Sequence, residues 1–264
     1  MPSAVALRLK IERALEGRFS AALTPALRKG SEVAATGVEP VDALLGGGLP
    51  VGAISEFAGP ATSGRTTLAL SFVARRTVEG KVCAWVDTRD ALDPESAAAN
   101  GVRLSQLLWV RCVRARSGKL AVGVCRNGRP KSHEFAELEM ALHATDLLLQ
   151  GGGFAAIVLD LCDVKQEHGL QIPAATWFRF RQAAGRTRCS LLVLGKRAYA
   201  QSCAAVVLRC EGLRAETAGG TVLQGFRGMV QPAQERFDNG VEFTRKPPTS
   251  AWPVSTTWAV GRRA

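Results

Sequence analysis

Residues 54–70 read ISEFAGPATSGRTTLAL. Ile54 to Ala58 is an apolar, strand-like run. Gly59 to Gly64 is a turn bounded by glycines, and Thr66 to Val73 is helix-forming. A G-x-x-x-x-G turn followed by a basic residue and Thr, between a strand and a helix, has the spacing and context of a phosphate-binding P-loop. In such a loop, backbone N–H groups cradle phosphates, a lysine reaches their oxygens and a Ser/Thr hydroxyl holds Mg²⁺. Gly59, Pro60, Ala61, Thr62, Ser63, Gly64, Thr66 and Thr67 keep the cradle and the hydroxyl. The residue where lysine belongs is Arg65.

On either side of this stretch, predicted strands alternate with predicted helices. Upstream, a helix is expected over 4–16, ending near Gly17, then a linker over 20–35 with Pro25 and Gly30. A short helix follows at 40–45, and three glycines turn the chain into 54–58. Downstream, helix 66–77 leads to a buried strand at 81–87 that ends on Asp87. Helix 94–100 is capped by Asp93, with Pro94 in its first position. Further apolar runs at 107–113, 154–161, 189–194 and 204–209 read as strands, and 134–150 and 174–184 as helices. Run 154–161 finishes on Asp160. Residues 206–245 read as β-rich, and 246–264, with three prolines and two tryptophans, as an extended tail. The alternation predicts an α/β fold with a mostly parallel sheet covered on both faces. The expected organisation is 1–34, N-terminal helix and linker; 35–245, core; 246–264, tail.

The 264 residues are 47% hydrophobic and carry a formal charge of +11. A sizeable core is therefore available, and a disordered composition is excluded. No apolar run is long enough for a membrane span, and the amphipathic N-terminus is not a signal peptide. The seven cysteines lack any C-x-x-C pair and sit mostly in apolar runs, as reduced, buried thiols do in the cytoplasm. The positive balance favours anionic partners, nucleic acid first. Two stretches, 103–133 and 169–210, contain no acid. The first carries Arg114, Arg116, Lys119, Arg126, Arg129 and Lys131, the candidates for DNA contact. The second interleaves Trp177, Phe178 and Phe180 with arginines. Stacking on bases is weighed there against burial, since Trp177, Phe180 and Ala184 share one helical face.

The stretches TGVEPVDALLGGGLPVGAISEFAGPATSGRTTL and GKVCAWVDTRDALDPESAAANGVRLSQLL together resemble the core of the bacterial RecA recombinases. The resemblance runs from about residue 35 to 210, with a weaker echo to 245. It implies a RecA-like sheet, ATP and Mg²⁺ as cofactors, and Thr66 and Asp160 as the Mg²⁺ residues. Helix 4–16 stands where the family's protomers dock, for a neighbour or a RecA filament, and a cap on its own sheet is the other reading. The family's catalytic glutamate falls at Arg89, and its DNA-sensing glutamine at Lys196. The glycine- and threonine-rich DNA loop is missing, as is a counterpart of the family's C-terminal domain.

A shortened chain of this kind is similar to the ImuA-type accessory factors of SOS-induced translesion synthesis, which are related to the SulA division inhibitors. A positioned base contributes roughly 10²–10⁴-fold, about 3–5 kcal/mol of barrier, and arginine cannot act as one. Asp90, next to Arg89, is expected to point to the opposite face of its strand. The expectation is weak ATP and Mg²⁺ binding, no catalytic residue, and a cytoplasmic, non-catalytic DNA-damage-response factor. Its implied partners are a translesion polymerase complex, RecA and DNA without sequence preference, and no membrane. Two alternatives stay open: an active DNA-dependent ATPase and recombinase, and a SulA-like division inhibitor.

Overall fold

A computed structural model describes residues 32–112, 133–212, 214–218, 222–232 and 241–245. Contacts divide the chain into Met1–Glu32 and Val33–Ala264, and every element below lies in the second. The expected N-terminal helix, the six basic residues from Arg114 to Lys131 and the tail lie outside the described residues. In chain order the elements are β1 (Val33–Ala34), α1 (Glu39–Leu44), β2 (Leu49–Pro50), β3 (Ile54–Ala58), α2 (Arg65–Val78), β4 (Cys83–Asp87), α3 (Pro94–Ala99) and β5 (Leu107–Arg111). They continue with α4 (His133–Gly151), β6 (Ala156–Asp160), α5 (Gln166–Leu170), α6 (Ala174–Thr187), β7 (Ser190–Gly195), β8 (Ala204–Cys210), β9 (Arg214–Ala218), β10 (Val222–Pro232) and β11 (Val241–Arg245).

The main sheet runs β11-β10-β8-β3-β7-β6-β4-β5, with β9 paired to β10. The six strands from β8 to β5 are parallel, and β9, β10 and β11 add antiparallel pairings at the other end. This is the α/β architecture expected, with a mostly parallel sheet flanked by helices and a β-rich C-terminal part.

Alternation along the strands shows why both faces are closed. On β4, Cys83 and Trp85 join one buried cluster while Ala84 and Val86 join the other. Ala156 and Val158 divide from Ile157 and Leu159 on β6 in the same way. The first cluster takes Leu68, Phe72 and Val73 from α2. The second takes Leu138 and Leu149 from α4 and Trp177, Phe180 and Ala184 from α6. Continuous apolar strands are what two covered faces require.

Several boundaries differ from the sequence reading. Residues 33–34, assigned to the linker, form β1 against β2, a two-residue pairing too short to leave a period. The five-residue helix α5 differs from the sequence reading, because QEHGL spans little more than one turn and leaves no period. Asp93 does cap α3, accepting from the N–H groups of Glu95 and Ser96. The described cysteines are free, and all but Cys203 are buried. Among the described residues no helix is long and apolar enough to cross a membrane.

One acid crosses the core. Glu56 on β3 is 1% exposed. Its Oε1 accepts the N–H groups of Tyr199 at 2.7 Å and Ala200 at 3.0 Å, tying the segment after β7 to the central strand. Its Oε2 is buried without a hydrogen-bond partner. Burial raises the Glu56 pKa, against the lowering effect of the Ala200 and Tyr199 bonds.

Two predictions follow from this packing. Phe180→Ala empties a buried ring site and lowers stability by about 3–5 kcal/mol. Phe178→Ala, at a residue 52% exposed, changes it by no more than about 0.5 kcal/mol, both read from urea denaturation. A folded-state carboxyl pKa raised above its unfolded value favours the folded state below the unfolded pKa. That advantage is lost as pH rises through the folded pKa. Glu56→Gln keeps an acceptor for both N–H groups without the charge. It therefore gains stability over wild type near neutral pH, and the gain shrinks as pH falls to about 4; a pH-independent difference would contradict the assignment.

Candidate functional site

Parallel register brings the C-terminal strand ends into one row. Ala58 stands opposite Gly195 on β7 and Arg209 on β8. Asp160 is level with Asp87 on one side and Leu194 on the other, and Asp87 is level with Arg111. From β3 the chain passes through α2 toward β4, crossing beyond β7 and β6. From β7 it returns past β3 to β8. The β3/β7 boundary is therefore a topological switch point, where open α/β sheets bind ligands beyond the carboxyl ends of their strands.

The P-loop occupies that point. It leaves β3 at Gly59, whose N–H donates to the Gly195 carbonyl at 3.1 Å. A Cβ on Gly59 would stand 2.3 Å from the Cys210 carbonyl oxygen, so only glycine fits there. Gly64, at φ +80°, caps α2 in the left-handed region that glycine tolerates best. The N-cap Gly64 makes no side-chain hydrogen bond to α2 and the first turn holds no acid, as suits a phosphate cradle. Thr62 adopts φ 59° at the loop's crest. Thr66 is exposed and Thr67 half-buried at the first turn.

Arg65 does not face this cradle as a free cation. It is 6% exposed, and its guanidinium turns back onto the loop. Nη1 donates to the Gly59 carbonyl at 2.6 Å, to the Pro60 carbonyl, and to Ser63 Oγ at 3.3 Å. Nε donates to Cys162 Sγ at 2.9 Å, just past β6. A buried charge must find acceptors, and the loop's own carbonyls are the ones in reach. One nitrogen, Nη1, meets both adjacent carbonyls, while Nε turns to Cys162.

Asp160 ends β6 at 7% exposure, with Oδ1 accepting the Cys162 N–H at 3.0 Å. Burial raises its pKa, opposed by the Cys162 bonds and, more weakly, by the Arg65 charge. Asp87 is structural: Oδ1 accepts from Arg89 N–H, and Oδ2 from Leu92 N–H and Trp109 Nε1. Thr88 Oγ1 donates to the Asp160 carbonyl at 2.8 Å and locks the two strand ends together.

The two residues at the expected position of the base are also occupied. Arg89 reaches α4, with Nη1 2.8 Å from Glu137 Oε2 and Nη2 3.3 Å from Glu134 Oε1. Lys165 Nζ lies 2.9 Å from Glu134 Oε2, and the Lys165 hydrogen bond is the main influence holding the Glu134 carboxyl below its ordinary range. Arg89 is thus a neutralised cation, not a second unpaired charge beside the cradle. Asp90 is not in a strand: β4 ends at Asp87, and Asp90 sits at φ 59° in the bend that follows. The face-alternation expectation therefore fails. What occupies Asp90 is Arg111, whose Nε donates to Oδ1 at 2.6 Å and which also pairs with Oδ2; its hydrogen bond lowers the Asp90 pKa.

Sequence reasoning did not find Cys162, Glu134, Glu137 or Lys165. Only their spatial meeting with the arginines marks them, and no short spacing could. Lys196, by contrast, falls directly past the end of β7 and is exposed. Trp177 and Phe180 are buried and meet edge to face at 5.9 Å, so they are core residues and not stacking platforms. Among the described residues no group of His, Cys, Asp and Glu could hold a metal ion by itself.

For ATP and Mg²⁺, the fit is incomplete. The helix start, the Thr66 hydroxyl and Asp160 suit them, whereas the cation that should meet the phosphates is turned onto the loop's carbonyls. The family described as the RecA N-terminal domain matches residues 8–124. The match covers less than half of the 264 residues, and the mostly parallel, helix-flanked sheet is consistent with a RecA-like fold.

Proposed function

We propose that the protein is a non-catalytic, RecA-like DNA-damage-response factor of the ImuA type, acting in the cytoplasm as an accessory to a translesion polymerase complex. One observation carries this reading. The side chains standing where an ATPase needs a free lysine and a glutamate, Arg65 and Arg89, are both spent on internal partners. The acids nearest Arg89 are committed as well: Asp87 to backbone and indole N–H groups, Asp90 to Arg111, Glu134 and Glu137 to Arg89. A carboxylate held by a guanidinium is a poorer proton acceptor.

Without hydrolysis, the retained sheet serves as a scaffold that bridges proteins at DNA. The polymerase complex and RecA are the proposed partners. Phosphate contacts from the arginine-rich stretch 114–131 would give salt-sensitive, sequence-independent affinity. ATP and Mg²⁺, if engaged at Thr66 and Asp160, bind weakly and are not turned over.

Steady-state ATP turnover by the full chain, with Mg²⁺ and with or without single-stranded DNA, is expected to stay at background. Turnover that rises with DNA would sink the reading and favour the recombinase. Arg65→Lys restores one charge-assisted contact to the phosphates and is expected to tighten ATP binding by about tenfold, measured with a fluorescent analogue, while turnover remains absent. Co-purification with a polymerase subunit supports the accessory role, and capture by a division protein instead would replace it.

A further inference from the structure

A second set of charged side chains gathers at the same row of strand ends and takes no part in the P-loop. Because β8, β3 and β7 are adjacent and parallel, Arg209 and Gly195 flank Ala58. Beyond Gly195 the chain continues as Lys196 and Arg197. These three cations line a cavity of about 820 Å³, with Glu211 as the one acid on its wall. That volume lies within the range of about 300–1,000 Å³ common for small-molecule sites.

Three features define what the cavity accepts. Lys196, Arg197 and Arg209 are exposed and make no ion pair with a described residue, in contrast to Arg89 and Arg111. The P-loop contributes only Gly59 and Pro60 to the wall, so the N–H groups at the start of α2 lie outside it. The apolar part of the lining includes Leu170 and Val207 but no aromatic ring. A base would have nothing to stack on, and a single nucleic-acid strand would lack its usual platform. Three cations against one carboxylate, in a concave site, suit a chain of phosphates.

We propose that this cavity binds a polyphosphate, either free or as the tail of a nucleoside triphosphate, at a position separate from the P-loop cradle and without reading the base. The inference goes beyond the accessory function and does not depend on it.

Titration calorimetry on the full chain, with sodium tripolyphosphate and ATP as probes and no divalent ion, tests it. Both probes are expected to bind within about threefold of each other. Lys196→Ala and Arg209→Ala each weaken binding by about tenfold, one charge-assisted contact apiece. Glu211→Gln tightens it. Thr66→Asp puts a carboxylate at the start of α2, where the helix dipole tolerates one, and changes affinity by no more than about threefold. All four positions are exposed, and thermal melts verify that each variant folds.

The proposal is overturned if wild type binds no tripolyphosphate. It is also overturned if Thr66→Asp abolishes binding while the cavity variants keep it, or if ATP binds far more tightly than tripolyphosphate. Displacement of tripolyphosphate by oligothymidylate at a lower phosphate concentration would assign the cavity to nucleic acid and overturn it as well.

Discussion

A guanidinium held at 6% exposure cannot remain without acceptors. At the start of α2 this requirement organises the site. The loop from Gly59 to Gly64 curls back over β3, so its first carbonyls point toward the side chain that begins the helix. Arg65 satisfies itself there and at Cys162, and the loop, β3 and the end of β6 become one hydrogen-bonded unit. The geometry that would offer N–H groups to a phosphate also supplies the carbonyls that draw the arginine inward. The longer guanidinium reaches the inner side, with Nη1 on the carbonyls and Nε on Cys162.

The same economy of charge extends along the row of strand ends. Asp87, Asp90, Glu134 and Glu137 each have partners, and the partners are backbone N–H groups, an indole or arginines. Most of these pairs are half-exposed and screened, so each contributes little to stability. Their consequence is chemical: no acid in the group that includes Arg89 is left unpaired and basic. Asp160 remains as the acid of the site, and burial favours its neutral form.

The fold was legible because a doubly covered parallel sheet writes its strands as uninterrupted apolar runs. Runs 81–87, 154–161 and 189–194 could hardly be anything else once helices lay between them. The P-loop spacing was equally plain, since glycine is demanded at 59 by the Cys210 carbonyl and at 64 by a left-handed backbone. The side-chain partnerships were not legible. Arg65 meets Cys162 across 97 positions, and Arg89 meets Glu137 across 48; nothing local encodes either meeting. Glu56 shows the opposite failure. One acid in ISEFA passed as part of an apolar strand, and only the N–H groups of Tyr199 and Ala200 show why it is there.

Glu56 also ties the two halves of the switch point to each other. It draws residues 199–200 onto β3, and Gly59 holds the P-loop to Gly195 from the other end. Between those fastenings lie Lys196 and Arg197, fixed at the edge of the sheet yet facing outward. Arg65 and Arg89 are consumed by internal partners, whereas Lys196, Arg197 and Arg209 are exposed and make no ion pair with a described residue. Arg65 thus turns away from the phosphate cradle, while Lys196, Arg197 and Arg209 stand on the wall of the neighbouring cavity. The row of strand ends therefore presents its exposed positive charge apart from Arg65 and the start of α2.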